Sequence, residues 1–105
     1  MRIKIYQIKS LDDKRKFNSV EDSLTIDVNI YEKVYDGELN LQEDTSVAEI
    51  LEEVYFVFNM QHPKGFCGHS LSVSDVVTFD NKAYVCNSFG WGNVTDRYSE
   101  FEELV

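Results

Sequence analysis

What this sequence is short of narrows it before any motif is read. Proline occurs once and glycine five times in 105 residues, and no Ser/Gly-rich stretch interrupts the chain. No linker is offered, so residues 1–105 read as one domain around one core. Long apolar runs are missing too. The longest, Val54 to Phe58, is far too short to cross a bilayer. The opening Met1-Arg2-Ile3-Lys4-Ile5-Tyr6 alternates charge with hydrophobe and lacks the apolar centre of a signal peptide. Together with only two cysteines, read as reduced thiols, this predicts a cytoplasmic protein with no membrane partner.

Catalytic signatures are equally scarce. There is no Gly-x-Ser-x-Gly elbow, no phosphate-binding loop and no dinucleotide fingerprint. Cys67 near His69, or Ser70, Ser72 and Ser74 near Asp75, offer nucleophiles beside a base, but no motif supplies the acid that would orient the histidine. The Ser72-x-x-Asp75 spacing suits a turn or cap, with side chains bonded to nearby backbone N–H groups. The chain is therefore not expected to be an enzyme.

Positive charge is the remaining shortage: ten Lys and Arg against nineteen Asp and Glu, a net charge of −9. The imbalance is uneven. Residues 1–17 hold six basic and two acidic groups, net +4, and residues 18–105 hold four and seventeen, net −13. Such a field repels phosphates, so no direct nucleic-acid binding is expected. It would attract a basic partner, or serve solubility alone.

What is present is apolar and aromatic: seven Phe, six Tyr and one Trp, enough to bury a core. Alternation predicts strands near residues 2–9 and 24–35, with Leu24, Ile26, Val28 and Ile30 on one face and an Asp36-Gly37 turn after them. A helix over 46–60 is predicted by the Ser46/Glu49 capping spacing and by Val47, Ile50, Leu51, Val54 and Phe58 on one stripe. Glu49, Glu52 and Glu53 fall on the opposite face with Phe56, which is either an exposed aromatic or covered by a second layer. Residues 61–70 form a loop, 76–79 and 83–87 a hairpin around Asp80-Asn81-Lys82, and Phe89-Gly90-Trp91-Gly92 a tight aromatic turn. Residues 98–105 suit a short acidic helix. The fold class is α+β: a small antiparallel sheet packed against one main helix.

His62, Cys67 and His69 lie within eight residues, and Cys86 sits in the hairpin beyond. These are zinc-ligand types at a compatible, non-standard spacing, so zinc is the cofactor they would hold. The other reading has both cysteines as small buried hydrophobes and His69 as a hydrogen-bonded loop residue.

Gly68-His69-Ser70-Leu71-Ser72-Val73-Ser74-Asp75-Val76-Val77, with Phe58-Asn59 before it and Tyr84 to Trp91 after it, resembles the YodL-like family of small proteins from Firmicutes, their phages and conjugative elements. The resemblance covers roughly residues 47–95, and the Pro63-Lys64-Gly65-Phe66-Cys67 stretch departs from the family's more acidic loop. It implies no enzyme activity. It does imply a mobile-element setting, in which small acidic proteins often block host defence nucleases, CRISPR effectors included. The expected function is anti-CRISPR-like: inhibition of a basic nucleic-acid-binding nuclease by direct contact, as a monomer or weak dimer. Glu49, Glu52, Glu53, Phe56 and Trp91 are the expected contact residues. The alternative is a non-catalytic accessory or structural module of phage or conjugative-element proteins, stapled by zinc.

Overall fold

A computed structural model describes residues 1–20, 23–41 and 45–104. Its centre is one antiparallel sheet of five strands: β1 (Arg2–Ile8), β2 (Tyr31–Glu38), β3 (Val76–Phe79), β4 (Lys82–Asn87) and β5 (Gly90–Asn93). Their order across the sheet is β2-β1-β3-β4-β5. Helix α1 (Val47–Met60) lies on one face, and a short helix α2 (Tyr98–Glu102) on the other. The class is α+β.

Period-two alternation sorts the side chains between the two faces. Ile3, Ile5, Val77 and Phe79 meet Ile50, Leu51, Val54 and Phe58 of α1. Tyr6, Ile8, Val76 and Val85 meet Phe101 of α2 together with Ile26, Val28, Tyr31 and Val94. The α1 stripe is buried as expected except at Val47, which is partly covered. Ser46 caps the helix by accepting the Glu49 backbone N–H at 3.3 Å. The β3–β4 hairpin turns through Asp80 and Asn81, both at positive φ (52° and 60°), the left-handed pair that a two-residue hairpin needs.

Four expectations are corrected. Residues 24–30 are not strand: they form two 3-10 turns, Ser23–Thr25 and Val28–Ile30. Asp27 accepts the Asn29 backbone N–H, and the Arg97 guanidinium donates to the Ser23 and Ile26 carbonyls, both at 2.9 Å. These carbonyls are turned away from any ladder, and Leu24 is left 77% exposed. Asp36-Gly37 is not a turn but the continuation of β2, paired with Lys4 and Ile3. A Cβ there would come within 2.5 Å of the Tyr35 hydroxyl, so a larger residue would displace the Tyr35 ring. Residues 90–92 are not a tight turn: they open β5, which pairs with β4, and only Ser88-Phe89 makes the link. Finally, the helix expected over 98–105 spans Tyr98–Glu102, and residue 105 lies outside the described residues.

Candidate functional site

Two features compete for functional meaning: the polar turn built by the Ser-Leu-Ser-Val-Ser-Asp motif, and a groove beside α1. The turn is a structural node. Asp75 is fully buried at the start of β3. Its Oδ2 accepts from the Ser72 backbone N–H at 2.8 Å and from Gln7 Nε2 at 3.0 Å, while the Asp75 N–H donates to the Ser72 carbonyl at 3.1 Å. The Ser72-x-x-Asp75 spacing thus makes the turn it suggested. Gln7 of β1 ties the loop to the sheet: Nε2 also donates to the His69 carbonyl, and Oε1 accepts the His69 N–H. Gly68 has to be glycine because a Cβ would run into the Gln7 carboxamide, which its bonds to His69 and Asp75 hold in place. Ser74, at φ 83°, is held by its Oγ accepting the Phe17 N–H and its carbonyl accepting the Tyr31 hydroxyl.

The histidine of this turn lies beside its buried carboxyl group, with His69 Nδ1 3.9 Å from Asp75 Oδ2. His69 Nδ1 lies 2.7 Å from the Ser70 carbonyl, which can only accept, so Nδ1 carries the proton. Nε2 is then the acceptor, but it is buried and has no partner among the described residues. Burial pushes the Asp75 carboxyl up to about 7, against the opposing pull of the Ser72 N–H, the Gln7 amide and the Lys16 amine. Ser70 Oγ lies 3.3 Å from His62 Nε2 on an exposed loop, and no carboxylate orients His62 among the described residues.

The expected zinc ligands do not converge. Cys67 is exposed with Sγ near the Gly65 carbonyl, His62 packs on Phe66, His69 faces Gln7 and Ser70, and Cys86 is buried on β4. Among the described residues no three His, Cys, Asp or Glu side chains are grouped so as to hold a metal ion. The two thiols differ sharply. Burial, then the field of Asp75, pushes the Cys86 thiol up to about 11. Native protein should therefore react with one equivalent of a thiol reagent, at Cys67, and with a second only on unfolding. Cys67→Ser should abolish the native reaction; two fast equivalents from the wild type would contradict this burial.

The groove brings the expected contact residues together. It runs between the outer side of α1 and the β4–β5 hairpin, with a volume of about 1070 Å³. Glu49, Glu52, Glu53 and Phe56 line one wall, Trp91 and Ser88 the other, and Val73 and Cys86 lie between. Phe56 is 48% exposed, which settles its two readings in favour of the exposed one. Helical geometry explains the wall: the inward stripe 50, 51, 54, 58 leaves 49, 52, 53 and 56 outward. Trp91 is half-buried against the α1-side core because β5 pairs Trp91 with Cys86.

The charge is as one-sided as the shape. No Lys or Arg is among the described residues that line the groove. Glu49, Glu52 and Glu53 form no ion pair among the described residues, whereas Asp13, Asp36, Glu100 and Glu102 each have a basic partner. The sequence reading missed Tyr55, Met60 and Phe89. All three are exposed; Tyr55 and Met60 line the groove, and Phe89 stands at the hairpin link, 101% exposed. Tyr55 and Met60 carried a signal, being apolar residues off the buried stripe; Phe89 in a turn carried none.

No curated protein and no solved structure shows a significant match to the chain. A family model described as the YodL-like domain matches residues 2–96, a longer span than the recognisable motif. That span takes in β1, whose Gln7 holds the motif turn in place. The chain belongs to the YodL-like domain family.

Proposed function

We propose that this protein is a non-catalytic binding protein that captures a basic surface of another protein in the groove between α1 and the β4–β5 hairpin. One observation carries the reading: three carboxylates without ion pairs and a half-exposed phenylalanine share a concave surface that holds no cation among its described residues. Unpaired charge of one sign speeds encounter with the opposite sign, and a desolvated aromatic supplies affinity that salt does not screen. A groove walled by glutamates repels nucleic acid and suits what binds nucleic acid. In the mobile-element setting that the family resemblance implies, the partner is a CRISPR-type defence nuclease, whose Lys and Arg would meet carboxylates in place of phosphates. The inhibition is then anti-CRISPR-like and needs no chemistry from the inhibitor.

The test is DNA cleavage by purified CRISPR nucleases from plausible hosts, titrated with wild type, with Glu49→Lys/Glu52→Lys/Glu53→Lys, and with Phe56→Ala. Inhibition by the wild type is expected. The charge reversal should weaken it most at low salt, and Phe56→Ala should weaken it alike at low and high salt. No inhibition by the wild type across the panel would retire the nuclease reading.

A further inference from the structure

We infer that the occupant of the groove is a basic amphipathic helix of the partner. This rests on the groove being the binding surface, and it specifies the chemistry that fills it. The outer ridge of α1 runs Glu49, Glu52/Glu53, Phe56, Met60, one helical turn per step. It is acidic along its first half and apolar along its second. A facing helix repeats its own ridge at the same interval, about 4.5–6 Å, so Lys or Arg side chains three or four residues apart fall in register with the glutamates. The apolar side chains on the next turns of the same face then reach Phe56 and Met60, with Trp91 opposite.

An extended segment spaces same-face residues at about 7 Å, out of step with the ridge. The opposite wall, Asn87, Ser88 and Trp91, is uncharged and so demands no second row of charges from the occupant.

The chain has a single tryptophan, Trp91, and it lies in the groove, so its fluorescence reports occupancy. The probe is a synthetic Trp-free peptide of about four helical turns, with Lys at i, i+3 and i+4 followed by Leu and Phe on the same face. A scrambled peptide of identical composition spreads these residues around the helix. The patterned peptide should blue-shift Trp91, gain far-UV helicity on binding, and bind at least about tenfold more tightly than the scramble, as one well-placed charge pair implies. Glu49→Lys/Glu52→Lys/Glu53→Lys should remove that preference. Equal binding of the two peptides, binding without gain of helix, or no binding overturns the helical occupant. Nuclease inhibition that persists while the patterned peptide fails to bind would leave the groove reading intact and remove this inference alone.

Discussion

Phe58→Ala should destabilise the fold by about 3–5 kcal/mol, the usual loss for emptying a buried phenylalanine site. The side chain is 0% exposed, with its ring centroid 4.9 Å from that of Tyr35 and 5.0 Å from that of Phe66, both edge-on. It joins three elements at once: α1, β2 and the 61–70 loop. Collapse around the void is opposed by the sheet on one side and by the helix backbone on the other. A domain of this size has a total stability of about 5–15 kcal/mol, so the variant should be close to unfolding at physiological temperature. Urea denaturation followed by circular dichroism measures this directly. Phe56→Ala, two residues earlier and half-exposed, should change stability by no more than about 0.5 kcal/mol. A Phe58→Ala loss under about 1 kcal/mol would mean that α1 is not seated on the sheet as described.

Stability should fall as pH rises from about 4 to about 7, because of Asp75. Burial raises its carboxyl from an ordinary 3.8 to about 7 in the folded protein. Across that window the folded state holds a proton that the unfolded state has released, so the linkage slope is negative. The shift corresponds to about 4 kcal/mol, fully felt above pH 7 and absent below about 4. Asp36 and Glu102 act in the opposite sense. Against the upward push of burial, hydrogen bonds from Lys33 and Arg2 depress Asp36, and the Lys4 amine depresses Glu102, so their contribution is lost as pH falls below about 4. The two effects occupy different windows and can be separated. Asp75→Asn keeps an acceptor for the Ser72 N–H and the Gln7 amide but carries no titrating group. Its stability should be flat from pH 4.5 to 7, about 1 kcal/mol of scatter aside. A slope that survives in Asp75→Asn would assign the titration to another group.

The parts of the fold that were legible in the sequence are those decided locally. The α1 stripe and the Ser46 cap follow from spacing within one helix, and the Asp80-Asn81 hairpin from residues that tolerate positive φ. Ser72 and Asp75 form their turn three residues apart. What failed was decided at a distance. Leu24, Ile26, Val28 and Ile30 alternate like a strand, yet Arg97, over seventy residues on, takes the Ser23 and Ile26 carbonyls out of reach of a ladder. Gly90-Trp91-Gly92 has the composition of a turn and becomes strand because β4 supplies the ladder. The acidic wall of the groove was visible as the outer face of a helix. That Trp91 would stand opposite it depended on β5 continuing the sheet, which periodicity does not report. Cys86 lies in β4 with its N–H donating to the Asp75 carbonyl and its own carbonyl accepting the Ser74 N–H, a placement that its distance along the chain from residues 62–69 does not report.

The central claim is that the acidic wall of the groove is the surface that binds. It is tested most directly by the affinity of Glu49→Lys/Glu52→Lys/Glu53→Lys for the inhibited nuclease, measured calorimetrically beside the wild type at about 0.05 M and about 0.5 M salt. All three side chains are exposed, so the variant should fold, at a modest cost to the α1 cap where Glu49 Oε1 accepts the Ser46 hydroxyl, and circular dichroism should confirm it. Wild-type binding should weaken with salt, and the variant should bind at least about a hundredfold more weakly at the lower salt, with the gap narrowing at the higher. A folded variant that binds as tightly as the wild type at both salts would contradict the account and move the binding surface off this groove.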